Sequence, residues 1–345
     1  MSNVEGVPLS IKILNAGDAS FTSGWGPTVN GPGYKAVCTY DKQNFFRVPD
    51  TTFDEDAGVL TIALTPDQPV LWLSYFAPYP YQRHMELVTR IGAKNCAVHS
   101  VIGQSLDGRD LDLLQVGDGS GAKILIIAQQ HPGEHMAEFW TEGLLERLTD
   151  PADPVSKKLL HNATFYVVPR INPDGCFRGH LRTNAGGANL NREWCDSAKP
   201  DGTPYAAPTL ERSPEVYHVL REMDAKGCDC CIDAHGDEAL AYNFFASAEG
   251  IDGWTPRLAN LYELFESIYC DVTPDFQAEY GYHRSPGQDA RSVPAPGSAM
   301  PARGNTSQIA HRFDCLAVTL EMPFKDTVSN AFNWQLLVAI APNLR

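Results

Sequence analysis

The chain has no long apolar run: nothing in its 345 residues approaches the ~18 consecutive apolar residues of a membrane span. Its first residues, Met1-Ser2-Asn3-Val4-Glu5-Gly6, have neither a basic start nor an apolar stretch, so no secretory signal is expected. Positive charge is scarce, with 27 Lys and Arg against 42 Asp and Glu and a net charge of −15. Nucleic acids and anionic membranes require basic surfaces, so neither is an expected partner. The nine cysteines are odd in number and lack framework spacing, which points to reduced thiols in the cytoplasm. No repeat with a period of roughly 20–50 residues is present. What remains is an ordinary globular composition, 43% hydrophobic and 20% charged. Nothing in it sets an oligomeric state.

Residues 1–80 are expected to be all-β. The short segments 11–14, 34–39, 45–48, 59–64 and 70–75 alternate apolar and polar residues between Gly, Pro and Asp turns, as in a small sandwich. From 81 to 345 the pattern changes. A helix is predicted over 81–92 and a strand or hairpin around 97–117. Strands at 123–128, 164–169, 229–234 and 315–320 then alternate with helices near 135–148, 209–226 and 256–269. Such alternation implies an α/β domain with a largely parallel or mixed sheet. Cys228-Asp229-Cys230-Cys231 leads into Ile232-Asp233-Ala234-His235 and is read as a buried strand with cysteine as a small apolar residue.

Ligand-type residues cluster where these strands end. The strand Ile124–Ala128 runs into Gln129-Gln130-His131-Pro132-Gly133-Glu134, putting an imidazole and a carboxylate at the sheet's mouth. Both are ordinary Zn²⁺ ligands. His131–His135 also spells H-x-x-E-H, which requires one continuous helix. Pro132 and Gly133 disfavour that, so 131–134 is read as a turn with the helix starting at 135. Later come Arg170-Ile171-Asn172-Pro173-Asp174-Gly175, read as a turn, and Arg182, Asn191 and Arg192 in a polar stretch. His235 follows another strand, and the last strand delivers Glu321. In metal-assisted hydrolysis, two imidazoles and a carboxylate complete a zinc shell. A separate carboxylate moves the proton, and an arginine stabilises the oxyanion. A second arginine with an asparagine can hold a substrate carboxylate.

This ordered set resembles the zinc metallocarboxypeptidases of the carboxypeptidase A type, most closely their cytosolic carboxypeptidase subgroup, over residues from about 80 to 330. The segment Phe76–Tyr81 resembles the subgroup's junction between sandwich and catalytic domain, and Gly103–Arg109 resembles the family's early hairpin. The resemblance implies one zinc per chain, held by His131, Glu134 and His235. Glu321 would be the base, Arg182 would polarise the scissile carbonyl, and Asn191 with Arg192 would grip the C-terminal carboxylate of a peptide or protein tail. Lys325 is an alternative, purely structural partner for Glu321.

Two departures stand out. Asn189 occupies the place of an acid that supports a histidine ligand in secreted members, and Asp233 is a substitute support. No tyrosine lies between Tyr282 and Glu321, so the substrate-capping tyrosine is left unassigned between Tyr280, Tyr282 and none.

The segment 281–312 carries Arg284, Arg291, Arg303 and Arg312 plus His283 and His311, against one acid, Asp289. An acidic C-terminal side chain facing Arg303 is the specificity this suggests. The same groups would serve a zinc amidase or deacylase acting on N-acyl amino acids or wall peptides. A silent binding module would instead predict a degenerate ligand set.

Overall fold

The computed structural model describes residues 1–19, 24–27, 32–194, 207–251, 253–282 and 304–327. The N-terminal strands are β1 (Leu9–Ile13), β2 (Val37–Thr39), β3 (Phe45–Arg47), β4 (Thr51–Asp54), β5 (Val59–Leu64) and β6 (Trp72–Ser74). They form two antiparallel sheets, ordered β1-β5-β4 and β3-β2-β6. A small core of residues such as Tyr34, Ala36, Cys38, Leu60 and Ile62 lies among these strands. The strand β4 was not anticipated. Its residues Thr51-Thr52-Phe53-Asp54 are too short and polar to stand out without their antiparallel partner β5.

Helix α1 (Tyr81–Gly92) opens the second region, followed by the hairpin β7 (Ala97–Gln104) and β8 (Asp110–Val116). Next come β9 (Ala122–Ala128), α2 (Met136–Leu148), α3 (Pro154–Asn162), β10 (Ala163–Val168), α4 (Pro173–Arg178) and α5 (Pro214–Lys226). The described chain continues through β11 (Cys230–Asp237), β12 (Phe244–Ser247), α6 (Pro256–Val272), α7 (Asn305–Phe313) and β13 (Leu316–Pro323). The seven-stranded sheet has the order β12-β13-β11-β9-β10-β8-β7. Its centre, β13-β11-β9-β10, is parallel, and its margins are antiparallel. The fold is therefore the expected mixed-sheet α/β domain preceded by an all-β region. Every residue of β10, Ala-Thr-Phe-Tyr-Val-Val, is buried, as in a parallel strand covered on both faces.

Local chemistry sets the element ends. Pro256 opens α6 behind Thr255, whose hydroxyl accepts from the Leu258 amide. Helix α5 starts at Pro214, five residues later than the sequence suggests. Asn172–Gly175 is the start of a short helix rather than a bare turn. Asn172 caps α4, and Asp174 is buried where it accepts from Ser105 Oγ at 2.7 Å, Asp107 N at 2.8 Å and Arg109 Nη1 at 2.7 Å. That carboxylate ties the turn between β7 and β8 to α4.

The two regions are joined through residues that follow β13. Phe324 packs on Tyr75 and Phe76, with ring centroids at 4.8 and 5.7 Å. Arg47 pairs with Asp326 at 3.0 Å, and Lys325 Nζ donates to Gly26 O at 2.8 Å.

Candidate active site

The carboxyl ends of β9, β11 and β13 lie side by side, and the register pairs His235 with Glu321. At the end of β9 the buried Gln129 adopts a left-handed backbone (φ 59°), which breaks the strand and starts the turn carrying His131 and Glu134. Gln129 Nε2 holds that turn through Pro132 O at 3.1 Å, and its Oε1 accepts from Arg170 Nε at 3.1 Å. Arg170 is in turn paired with Glu138 at 2.5 Å, and Glu138 with His84 Nδ1 at 2.5 Å. The turn thus rests on a buried charged network. Helix α2 begins only at Met136, which rules out one helix through His131–His135.

Glu134 Oε1 lies 2.7 Å from His131 Nδ1, and Glu134 Oε2 lies 2.8 Å from His235 Nδ1. The two Nδ1 atoms are 3.1 Å apart. The outward nitrogens are already engaged: His131 Nε2 with Asn189 Oδ1 at 3.1 Å, and His235 Nε2 with Asp233 Oδ2 at 2.8 Å. If each outer nitrogen carries the proton, two lone pairs and a carboxylate converge on one point. That arrangement is repulsive when empty and complementary to a cation. The three side chains are buried and offer ligand atoms all within 4.8 Å of one another. The donor set therefore fits a zinc ion. Asn189 and Asp233 are not alternatives: each supports a different histidine.

Glu321 is buried, and its Oε2 has no hydrogen-bond partner. Burial raises its carboxyl to about 8, opposed by His235 and reinforced by Glu134 and Asp237. Lys325 is not its partner, because Nζ donates to the carbonyls of Gly26 and Ala239. The hydroxyl of Tyr282 hydrogen-bonds Glu321 and Asp237, a placement that spacing along the chain did not reveal. Asp237 and Gln130, whose Nε2 lies 2.5 Å from Asp233 Oδ2, were also missed, since their partners are set by sheet register.

Arg182 Nη1 approaches Glu134 Oε1 at 3.8 Å. Asn191 and Arg192 form a 3-10 turn over Leu190–Arg192, started by Asn189 accepting from Asn191 N. Asn191 Oδ1 accepts from Asn305 N at 3.0 Å, at the start of α7. Arg303, Arg284, Arg291 and His283 lie outside the described residues. Arg312 does not join the site: it pairs with Asp224 at 2.6 Å on the exposed side of α7.

An open sheet with two imidazoles, a carboxylate and a second, half-unpaired carboxylate at its strand ends defines the class as a metal-dependent hydrolase. The chain belongs to the zinc carboxypeptidase family, whose model matches residues 86–336. Residues 1–76 match the cytosolic carboxypeptidase N-terminal domain. An uncharacterized protein of Zymomonas mobilis is 42% identical over 318 residues, which is 92% of this chain and 76% of that one. Cytosolic carboxypeptidase 6 of Mus musculus is 27% identical over 211 residues, 58% of this chain and 37% of the mouse protein. Among solved structures, a metallo-carboxypeptidase from Pseudomonas aeruginosa, in complex with (2-guanidinoethylmercapto)succinic acid, is 38% identical with a TM-score of 0.84. That match covers 99% of this chain and 86% of that one.

Proposed function

We propose that this chain removes the C-terminal residue from peptides or protein tails in the cytoplasm, with a preference for acidic residues and above all glutamate. The observation that carries the reading is the convergence of His131, Glu134 and His235 beside Glu321, whose Oε2 is unpaired. Bound zinc supplies Lewis acidity toward water and the scissile carbonyl. Glu321, whose ionised form a cation held by the triad would favour, takes the proton from the attacking water and passes it to the leaving amine, with Tyr282 restraining its other side. Arg182, beside Glu134, donates to the carbonyl oxygen as charge develops there. Asn191 and Arg192 hold the terminal carboxylate by charge-assisted bonds.

The acidic preference rests on the sign reversal in 281–312 and on the chain position of Arg303. Arg303 immediately precedes Gly304, which lies against Asn191: a Cβ on Gly304 would sit 2.9 Å from Asn191 Oδ1. The test is metal analysis of the purified chain, followed by hydrolysis of peptides ending in Glu, Phe and Lys, with and without chelator. The expected result is one zinc per chain, chelator-sensitive release of the last residue, and faster release of Glu. Equal rates for Glu and Phe would remove the acidic preference. Activity undiminished by chelator would remove the metal mechanism.

A further inference from the structure

A partly open pocket of about 430 Å³ lies beside the sandwich core, walled by the rings of Trp25, Tyr34 and Tyr75 and the side chains of Leu60 and Ile62, with the exposed side chains of Ile13 and Leu181 also in its lining. Two of the ring polar groups are already satisfied: Trp25 Nε1 donates to Ala16 O at 2.9 Å, and Tyr34 OH to Tyr75 O at 2.8 Å. Its volume is within the roughly 300–1,000 Å³ range of small-ligand sites. Ser74 lines it with a buried hydroxyl oxygen that has no hydrogen-bond partner.

The pocket extends to residues that flank the proposed catalytic groups. Leu181 and Glu238, both from the catalytic domain, complete its lining. Leu181 is also a wall of the metal turn. Its carbonyl accepts from Gly133 N at 2.9 Å, and a Cβ on Gly133 would lie 2.7 Å from Leu181 Cδ1. The next residue, Arg182, reaches Glu134. On the other side, Glu238 follows Asp237, the partner of Tyr282. Asn191, Arg192, Gly304 and Asn305 do not line the cavity. The pocket therefore lies on the Leu181 and Glu238 side of the site, not on the side of Asn191 and Arg192.

We propose that this cavity is a substrate subsite that receives one large apolar side chain, aromatic or aliphatic, lying upstream of the scissile bond. The sandwich then reads the acyl side of the peptide while the sheet domain cuts it. The inference rests on the carboxypeptidase reading. Burial also raises the Glu238 carboxyl to about 7, which suits a pocket meant for uncharged groups.

The test is a peptide series ending in Glu, with alanine elsewhere and a single Trp or Leu moved through five upstream positions. Zinc-loaded wild type is expected to show kcat/KM about tenfold above the all-alanine peptide at one position. Ser74→Leu and Ala36→Met, which fill the cavity, should bring that ratio toward one. Calorimetry with the zinc-loaded Glu321→Gln variant should show the same preference as tighter binding, lost when Ser74→Leu is added. Ratios within twofold at every position, or a preference retained by both filling variants, would overturn the subsite. If Glu-ended peptides are cut no faster than Phe-ended ones, only the acidic preference fails, and the scan is read on the Phe series. Should no peptide be hydrolysed, the carboxypeptidase reading fails, and the calorimetric comparison still decides the subsite.

Discussion

Among the described residues before Phe76, no carboxylate is buried, and the one charged side chain that is mostly covered, Arg47, is paired with Asp326 at the seam. Between His84 and Lys325 the buried polar set includes five carboxylates near the metal turn and strand ends alone, Glu134, Glu138, Asp233, Asp237 and Glu321. Burying a charge is costly unless it is paired or has a function. The sheet domain meets that cost with networks whose members face one another across strands. The sandwich places its one covered charge, Arg47, at the seam and leaves apolar space elsewhere. One region is built to hold charges in place, the other to offer shape.

This contrast can be tested first where the effect is largest. Glu321→Gln should lower kcat by roughly 10²–10⁴-fold, with metal content unchanged and a melting temperature equal to or above wild type. Undiminished turnover would reject the assigned base. Arg182→Ala should lower kcat by about 10²–10³-fold, again without loss of metal, as single-turnover kinetics would show. A change confined to KM would mean that Arg182 only binds.

Glu215 sharpens the comparison because it is buried in the sheet domain but outside the site. Burial raises its carboxyl from 4.5 to about 7, with Asn184 Nδ2 at 3.2 Å and Oε1 unpaired. The protonated form is the one that the fold prefers. Its contribution, about 3 kcal/mol, is therefore full below pH 4.5 and lost as pH rises through 7. Urea unfolding from pH 4.5 to 8 should show this decline flattened in Glu215→Gln; an identical slope would acquit the group. The smallest effect is expected at the seam between the regions. Arg47→Ala leaves Asp326 and Phe324 O unmatched and should cost about 2 kcal/mol, below the buried-pair range because Asp326 is partly exposed. No change in the urea midpoint would show the regions to be independent.

The sheet domain was the more legible in sequence. Its long apolar strands, Pro-led helix starts and ligand spacing are local signals, so β9, β10, β11 and β13 and the triad His131, Glu134 and His235 could all be anticipated. Strand β12 and helix α7 escaped because their short sequences take their state from packing, whereas α3 carried a local signal, Asp153 capping a Pro154-led start, that went unread. Tyr282, Gln129 and the Arg170–Glu138–His84 network escaped for a different reason: the partners Glu321, Arg170 and Glu138 lie 32 to 54 residues away, and only folding brings them together. Asn172–Gly175 shows the limit of motif reading, since a turn signature there became a helix cap and a buried anchor.

Strand β13 ends two residues after Glu321 and passes directly into Phe324, Lys325 and Asp326, the three side chains that clasp the sandwich. The proposed proton acceptor and the interdomain fastening are thus links in one short tether. A catalytic fragment lacking the first 76 residues would lose the counterweight on that tether, and its defect should surface as a misaligned base rather than an absent metal.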